Sequence, residues 1–471
     1  MTEQRRFLIA EPLPHLQRPV GRLQPILAKQ GPAAIDPALI ERAVQSIARM
    51  EPVIAIESPQ QWQAVIQGLD QSVDAILPLS IPAYPTEVWN SHPQALQDRG
   101  LPLIFWPLQP YDEPDFWRWS ARDLLRSLGI TVHIARNTEH AKQLIKAYAV
   151  KRMLSQARMV VFGEQNFPWN AYAAGHLQTE SLGTHILVRP IEDIRKRYID
   201  FSDEQVNQIW HQRKKRYQVK STQAPALAEA IRIYLAIKSI LEEEQAAAFG
   251  LNCYGDLIIQ GGRDVPCLAQ LLLREDGYVT ACDGDFAAMM SMMFITHMLD
   301  KPCMMSNMYP ISYIGALTDH FGDPLAPTKG RYPQSHRPNL ARLAHCGYVG
   351  IVSPEMTPTG QAVLTDWGGT YELKRDGRGC GVDSEMIADA PVTVVELCFD
   401  AKTLLLAKAK ICETTRHSHM PHCESSVLME FNDLPKFVDH ISREHTALVY
   451  GDHIDELCVL AEILGLTVKT F

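Results

Sequence analysis

The chain has 471 residues, of which 46% are hydrophobic and 21% charged, and its formal net charge is −9 at pH 7. This composition is ordinary for a globular protein, and the length predicts about three domains of about 150 residues each. A net negative charge without a long basic run makes nucleic acid and anionic membranes poor partners on electrostatic grounds, so neither is expected to bind.

The apolar runs and the cysteines indicate the cellular location expected for the protein. Every apolar run is interrupted within about a dozen residues, so no membrane span is predicted. The first apolar stretch is too short for the core of a signal peptide, and Glu11 and Pro12 end it. The expected location is therefore cytoplasmic. The ten cysteines, all from Cys253 onward, include no CxxC pair. This spacing argues against a zinc ribbon or a thioredoxin-like site and predicts mostly reduced, buried thiols.

Residues 1–152 are predicted to form an N-terminal α/β domain. Short apolar strands alternate with helical patterns, which indicates a parallel sheet covered on both faces. The predicted strands lie at residues 53–56, 75–79, 103–106 and 131–135, with helices at 40–50 and 117–128. A long helix over residues 139–156 is predicted to link this domain to the next.

Residues 153–318 are predicted to form a second α/β domain. Its predicted strands lie at residues 159–162, 185–188, 257–259, 278–282 and 303–306, with helices at 204–218, 225–249 and 286–298. The basic run that begins at Arg213 is interpreted as a solvated helix face. In open sheets of this kind, ligands bind beyond the carboxyl ends of strands. Asp283 and Asn307 each follow a predicted strand.

Residues 319–471 differ from the two preceding predicted domains in composition and in hydrophobic pattern. Pro and Gly become dense, and short β-like runs separated by turn signals predict an all-β barrel or sandwich. These runs lie at residues 363–364, 370–373, 392–399, 404–410 and 426–431. The predicted fold class is therefore α/β, with two doubly wound parallel-sheet domains followed by a β-rich, barrel-like C-terminal domain.

The last 28 residues form a compact pattern of their own. His445 stands at the mouth of a short apolar run that Gly451 closes. An amphipathic helix follows from Ile454, Gly465 is its predicted C-cap, and residues 466–468 read as a final strand. We expect this block to return His445 to a cleft between domains.

Four polar residues carry the candidate chemistry. Asp283 lies in Thr-Ala-Cys-Asp-Gly-Asp, Asn307 ends Cys-Met-Met-Ser-Asn, and His345 lies in Leu-Ala-His-Cys-Gly; the fourth is His445. Carboxylate and imidazole ligands with open positions suit a labile divalent ion. Asp283 could instead be the N-cap of the helix that starts at residue 286, unless Asp285 takes that role. The sequence leaves both assignments open.

These four segments resemble the metal-binding segments of the L-fucose/L-arabinose isomerase superfamily, in the same order and at comparable spacing. The chain looks like a divergent, fucose isomerase-like branch. The resemblance also covers the motifs at residues 250–253 and 264–271, and residues 371–373 ahead of 379–382. Before about residue 252 it is only architectural. It implies an aldose–ketose isomerase acting on a pentose, a deoxyhexose or a modified hexose. The implied cofactor is manganese or another divalent cation, and the implied ligands are Asp283, Asn307, His345 and His445.

The implied reaction moves a proton between C1 and C2 of the sugar through an ene-diolate. A divalent ion stabilises the developing charge while a positioned base shuttles the proton. By resemblance, Asp283 is both a ligand and an acid/base. The isomerases carry an acid at the position of Asn307, whose amide cannot accept a proton near neutral pH. Asp285 and Glu355 are candidates for the role of the second base. The catalytic candidates are Asp283, Asp285 and Asn307, the last because it occupies the position of the family's acid. The resemblance further implies a homo-oligomer with its active site near a subunit interface.

Two other functions stay open. The neutral Asn307 motivates a non-catalytic sugar-binding or regulatory relative. Two histidines and one carboxylate also describe mononuclear iron oxygenases, although those ligands normally lie inside a β-barrel. A second group of donors, interpreted as a solvated loop because its spacing fits no zinc motif, comprises His417, His419, His422 and Cys423.

Overall fold

The computed structural model describes residues 16, 18–28, 35–79, 87–106, 119–163, 181–253, 257, 265–312, 335, 337–345, 350–367, 379–414 and 427–471. Within these ranges the chain forms two compact units, Arg18–Met153 and a second that contains Leu154–Phe471. The domain boundaries at residues 152 and 318 remain a prediction.

The first unit is a parallel sheet with helices between its strands. The strands are β1 (Gly21–Ala28), β2 (Ala48–Met50), β3 (Ile54–Ile56), β4 (Ala75–Pro78), β5 (Leu103–Phe105) and β6 (Val132–Ile134). The helices are α1 (Pro37–Val44), α2 (Pro59–Gly68), α3 (Glu87–Asn90), α4 (Pro93–Arg99), α5 (Trp119–Ser127) and α6 (Thr138–Gln156). The strand order is β2-β1-β4-β5-β6, and β3 also pairs with β1.

This unit confirms the predicted strand–helix alternation, with two local corrections. The helix predicted over residues 40–50 ends at Val44, and β2 occupies its last positions. Strand β1 lies inside the sheet but was not predicted. Arg22, Gln24 and Pro25 interrupt its apolar pattern, and a central strand usually lacks proline because it cannot donate to the ladder.

The second unit begins with another parallel sheet. Its strands are β7 (Arg158–Phe162), β8 (His185–Arg189), β10 (Ala248–Leu251) and β11 (Val279–Cys282). Strand β9 (Tyr217–Val219) lies between β8 and β10 in sequence but is not part of this sheet. The helices are α7 (Ile191–Tyr198), α8 (Asp203–Arg213), α9 (Ala224–Glu244), α10 (Cys267–Asp276) and α11 (Phe286–Leu299). The sheet order is β11-β10-β7-β8, with every pair parallel. Their connections are crossovers, as parallel pairing requires.

The remainder of the second unit is β-rich. Its strands are β12 (Met304–Pro310), β13 (Leu340–Ala344), β14 (Ala362–Asp366), β15 (Cys380–Val382), β16 (Pro391–Leu397), β17 (Thr403–Glu413), β18 (Val427–Phe431), β19 (His445–Tyr450) and β20 (Thr467–Thr470). Its helices are α12 (Leu434–Val438) and α13 (Ile454–Leu464). Strands β16-β19-β12-β13-β18-β17 close into a barrel through the β16–β17 pair, and β20 adds to β17. Strands β14 and β15 form a small sheet with β9.

The predicted fold class is confirmed: parallel α/β sheets are followed by a β-barrel. Several assignments in the second unit are wrong. The helices predicted over residues 204–218 and 225–249 end at Arg213 and Glu244, and β9 and β10 begin within their last positions. Residue 257, the first of the predicted strand 257–259, is not in a strand. Residues 303–306 were expected as a strand of the second parallel sheet with Asn307 beyond its end, but β12 is an antiparallel barrel strand with Asn307 in its middle. A short apolar run reads the same in both settings, because each buries the strand on two faces.

The interpretation of the basic run as a solvated helix face is also wrong for its first member. Arg213 is buried and forms an ion pair with Asp276. The described cysteines are free thiols, and most of them are buried, as predicted. In the ranges that the structure describes, no helix is both long and apolar enough to cross a membrane.

Helix α11 joins the sheet to the barrel. Every residue from Phe286 to Met298 is buried, and the helix contacts β10 and β11 of the sheet as well as β12, β16 and β19 of the barrel. A helix that is apolar all round is expected in such a position. Its methionines are core residues. The N-terminus of α11 therefore lies where the carboxyl end of β11 meets the barrel.

Candidate metal centre

Three predicted ligands converge at this junction. One ligand atom from each of Asp283, His345 and His445 lies within 4.8 Å of the other two. Oδ2 of Asp283 is 3.4 Å from Nε2 of His345 and 3.5 Å from Nε2 of His445. The two imidazole rings stack with their centroids 5.7 Å apart. One carboxylate oxygen thus faces two imidazole nitrogens, an arrangement that could hold one cation.

Asp283 reaches this position through an unusual backbone conformation. Its φ is +55° and that of Gly284 is +66°, so two successive left-handed residues turn the chain between β11 and α11. Left-handed φ costs a typical L-residue about 1–2 kcal/mol, and Asp is one of the few residues that adopt it as single residues. The turn places the Asp283 carboxylate at the carboxyl edge of the sheet, where ligands bind in open α/β folds.

Barrel pairing places the two histidines beside this turn. His445 is the first residue of β19, and His345 directly follows β13. Strand β12 lies between β19 and β13 and pairs Asn307 with His445 on one side and with Ala344 on the other. Two histidines that are 100 residues apart in sequence are therefore neighbours because one strand separates them.

Asn307 lies beside His445 as a consequence of the same register. Directly paired residues have Cβ atoms about 4.5–5.5 Å apart. The amide Nδ2 donates to the Tyr309 hydroxyl at 3.1 Å, while Oδ1 is buried and has no hydrogen-bond partner within the described residues. A buried oxygen without a partner is costly, and a bound cation or water would satisfy it. Its role as a ligand stays a prediction.

Asp285 is the N-cap of α11. Its Oδ1 accepts a hydrogen bond from the backbone N–H of Ala288 at 2.8 Å. Its Oδ2 lies 2.9 Å from Nδ1 of His445 and 2.7 Å from Nε of Arg443. Because the cap role belongs to Asp285, the Asp283 carboxylate is left to face the imidazoles.

Burial and mutual charge shift the pKa values of this cluster. Burial raises the pKa of Asp283, but the interactions with His345 and His445 outweigh it and hold the pKa well below its usual range. Burial lowers the pKa of His445, yet its hydrogen bonds to Asp283 and Asp285 raise it to about 10. The pKa of His345 is also raised, because Cys282 and Asp283 outweigh its burial. Without a cation, His445 therefore keeps its proton at neutral pH.

The tautomer of His445 follows from its neighbours. Arg443 and His445 outweigh burial and lower the pKa of Asp285 to about 2, so its carboxylate is ionised and can only accept hydrogen bonds. Nδ1 of His445 must then carry the hydrogen. A neutral imidazole with this tautomer has the lone pair of Nε2 on the side of Asp283, where it could bind a cation. A carboxylate on the other ring nitrogen orients metal-binding histidines in the same way.

Sequence reasoning missed three residues around the centre. The Cys253 thiol donates to Oδ1 of Asp283 at 3.6 Å, although only its motif had been noted. Arg443 was not considered, although an arginine two residues before a candidate ligand is a usable signal. Glu396 lies 3.7 Å from Arg443 and gives no local signal, because it stands alone in an apolar strand.

Two other sequence candidates lie elsewhere. Glu355 lies in a short 3₁₀ helix, Pro354–Met356, and pairs with Arg216. It is not part of the three-residue cluster found among the described residues. The predicted donors His417, His419 and His422 lie outside the described residues.

Comparison with known proteins supports an arabinose/fucose isomerase-like relationship for part of the chain. Residues 176–300 match the family model of the L-arabinose isomerase central domain. This segment includes Asp283 and Asp285 and ends before Asn307. No curated protein sequence matches the chain.

A structural comparison adds no argument. A structure of A-type ketoreductases from a modular polyketide synthase aligns at 14% identity, covering 58% of this chain and 81% of that one, with a TM-score of 0.20. At this TM-score the likeness says nothing about the fold or the function of the chain.

Proposed function

We propose that this chain is a metal-dependent aldose–ketose isomerase acting on a pentose, a deoxyhexose or a modified hexose. The observation that carries the proposal is the convergence of Asp283, His345 and His445 on one point. It occurs at the end of a segment that matches an isomerase central domain. One carboxylate, two imidazoles and a neighbouring amide oxygen suit manganese or another labile divalent cation.

The proposed reaction takes a proton from C2 of the aldose and delivers it to C1. The C2–H electron pair becomes the C1–C2 double bond of an ene-diolate, and a second proton moves between O2 and O1. A bound divalent cation would stabilise the negative charge on these oxygens and make the C2 proton more acidic. The remaining tasks belong to side chains of the centre.

We assign the proton transfer at carbon to Asp283, the carboxylate of the three-residue cluster. Its low pKa keeps it deprotonated and thus ready to accept a proton, but it also makes it a weak base. Its activity therefore depends on acidification of the C2 proton. The Cys253 thiol holds Oδ1, which limits rotation of the carboxylate.

We assign the second proton transfer, between O2 and O1, to solvent rather than to a side chain. Asn307 cannot accept a proton near neutral pH. Asp285 already has three partners: a backbone N–H, His445 and Arg443. Its proposed role is to orient His445, and Glu355 is paired elsewhere.

The proposal is tested with the purified full-length protein and a panel of aldoses in D₂O. After EDTA treatment, MnCl₂ is restored to half of each sample. At least one pentose, deoxyhexose or hexose should yield its ketose in a Mn²⁺-dependent manner, with solvent deuterium incorporated at carbon, as followed by NMR. Absence of both Mn²⁺ binding and deuterium incorporation across the panel would overturn the proposal.

Asn307 favours a second candidate, a non-catalytic sugar-binding relative. An amide in place of an acid leaves the centre less negative by one charge and without a second base. Such a protein would gain thermal stability on binding a sugar, yet it would exchange no carbon-bound hydrogen. The same D₂O experiment therefore separates the two candidates.

A further inference from the structure

Behind His445 lies a chain of buried charged side chains that the proposed reaction does not use. Arg443 is placed between two carboxylates, and its side chain is only 5% exposed. Its Nε is 2.7 Å from Oδ2 of Asp285, and its Nη1 is 3.7 Å from Oε1 of Glu396. Nη1 also donates to the carbonyl of Leu397 at 3.0 Å. Nη1 thus makes a hydrogen bond, while Nε meets Asp285 as an ion pair and, like Nη2, has no hydrogen-bond partner among the described residues. Phe399 packs against the guanidinium with its ring centroid 5.1 Å from Cζ.

Glu396 is an unusual residue for its place in β16. Its side chain is fully buried, and burial, opposed by Arg443, raises its pKa to about 7. Oε1 accepts a hydrogen bond from the backbone N–H of Ser442 at 2.7 Å, while Oε2 has no hydrogen-bond partner among the described residues. An apolar residue of similar volume often stabilises a fold at least as well as a buried charge. Stability alone therefore gives little reason for a glutamate here.

These contacts form a continuous series of side chains in space that ends at the candidate metal centre. Glu396 faces Arg443, Arg443 faces Asp285, and Asp285 accepts from Nδ1 of His445. The Asp285 carboxylate is also fixed by the N-terminus of α11. An outer carboxylate held in this way sets the tautomer and the ring angle of the histidine that it contacts.

We propose that Arg443 and Glu396 are positioning residues of the metal centre, which lock Asp285 against Nδ1 of His445 and so raise the affinity of the centre for a divalent cation. This inference rests on the cation-binding part of the proposed function. It does not depend on which sugar is bound or on whether catalysis occurs.

Charge and position make opposite predictions for Arg443, which makes the proposal testable. If the guanidinium acted only through its charge, Arg443→Met would tighten cation binding and Arg443→Lys would leave it unchanged. If it acts by position, both variants weaken binding, since neither holds Asp285 at the same angle. Loss of an outer partner of a metal-bound histidine typically costs about 10–100-fold in affinity.

The experiment measures Mn²⁺ affinity of the EDTA-treated full-length chain by calorimetry. Arg443→Met and Arg443→Lys should each bind about 10–100-fold more weakly. In the Asp285→Asn background, Arg443→Met should add less than about twofold, because the arginine acts through Asp285. Glu396→Gln should weaken binding about 3–10-fold, and this effect should vanish when Arg443 is also replaced.

Glu413→Gln is the matched control. Glu413 is also buried in a barrel strand and also has an oxygen without a partner among the described residues. It lies eight residues along β17 from Leu405, the register partner of Glu396, which is about 26 Å at 3.3 Å per residue. Its replacement should leave the Mn²⁺ affinity within twofold of wild type. Melting curves of the EDTA-treated variants report any general loss of structure.

The outcomes separate this inference from the proposed function. Wild-type binding of Mn²⁺ with unchanged affinity in Arg443→Lys and Glu396→Gln would overturn the positioning role alone. Tighter binding by Arg443→Met would do the same, because it would show a purely electrostatic effect. Failure of the wild type to bind Mn²⁺ would overturn both. If Arg443→Met does not fold, the lysine and glutamine variants decide the question.

Discussion

The second unit contains two largely buried charged clusters that differ in charge balance. The first, called the balanced cluster, joins α8, α9 and α10 and comprises Arg213, Arg216, Lys238, Glu275, Asp276 and Glu355. The second, called the acidic centre, comprises Asp283, Asp285, Glu396 and Arg443 together with His345 and His445. Each has three carboxylates, but the balanced cluster has three permanent cations and the acidic centre has one.

This difference distinguishes a structural network from a candidate binding site. In the balanced cluster each carboxylate has a cation; for example, Lys238 lies 2.7 Å from Asp276 and Arg216 lies 2.6 Å from Glu275. In the acidic centre, three carboxyl groups face one arginine, and the pKa of Glu396 is raised to about 7, so between one and two negative charges are left over at pH 7 when the imidazoles are neutral. A divalent cation would supply that charge. Without a cation, the protonated imidazole of His445 supplies part of that charge, since its hydrogen bonds to Asp283 and Asp285 raise its pKa to about 10.

The largest expected effect on stability comes from breaking the balanced cluster. Asp276 is fully buried and contacts Arg213 and Lys238, so Asp276→Asn removes the carboxylate that faces Lys238 and leaves Arg213 with only Glu275, 3.6 Å away. We expect a loss of about 3–5 kcal/mol in the free energy of unfolding. Chemical denaturation measures this loss. The Mn²⁺ affinity of the folded fraction should stay unchanged; a parallel fall in affinity would contradict the separation of the two clusters.

Breaking the acidic centre should have the opposite profile. His445→Ala removes one of the two imidazoles and should weaken Mn²⁺ binding by more than about 100-fold, beyond the range for outer partners. It should remove any Mn²⁺-dependent isomerisation at the same time. Calorimetry and the NMR assay in D₂O measure the two effects. His211→Ala on the exposed face of α8 is the control for loss of a histidine and should change neither. Retained Mn²⁺ binding in His445→Ala would remove this residue from the ligand set.

Proton release gives a third way to sharpen the comparison. The pKa of His445 is 6.5 in the unfolded chain and about 10 in the folded chain. Its stabilising contribution is therefore complete below pH 6.5 and is lost as the pH rises towards 10. A cation must displace this proton, so Mn²⁺ affinity should rise about tenfold per pH unit between pH 7 and 9. Calorimetry in buffers of different ionisation enthalpy should detect about one released proton.

Melting curves and Mn²⁺ titrations of His445→Gln separate the contribution of this histidine from that of the other histidines. The variant should lose the part of the pH dependence of the melting temperature that lies between pH 6.5 and 10. If the wild type binds Mn²⁺ with the same affinity at pH 7 and pH 9, the imidazole is not the group that the cation deprotonates.

The comparison also explains which parts of the molecule sequence reasoning could reach. The final helix, its cap Gly465 and the fold class are confirmed, because they depend on periodicity and on capping rules that act within a few residues. The burial of Arg213 was missed, because its partners Glu275 and Asp276 are more than 60 residues away. A charged side chain carries no local sign that a distant carboxylate will cover it.

The candidate site divides along the same line. The convergence of Asp283 and His445 was expected only because a resemblance ordered the segments; no local pattern connects residues 162 positions apart. Asn307 was placed beyond a strand end, whereas it lies inside β12, and its nearness to His445 follows from barrel register. Arg443 could have been noted from its place two residues before His445, whereas Glu396 gives no local signal, since its importance depends on the position of Arg443 and Asp285 in three dimensions.

The smallest expected effect comes from making the acidic centre more acidic. Asn307→Asp adds a carboxylate beside His445, and the affinity of oxygen-rich cation sites rises with the number of charged ligands. We expect at least about tenfold tighter Mn²⁺ binding and, because a second proton acceptor is restored, faster isomerisation. Asn207→Asp, which adds the same charge to the exposed face of α8, should change neither. The variant also enlarges the charge deficit, so the metal-free protein should melt at a lower temperature and Mn²⁺ should raise that temperature more than in the wild type. A substantial wild-type activity that Asn307→Asp abolishes would mean that the neutral amide is required, and that the centre performs a different reaction from the one proposed.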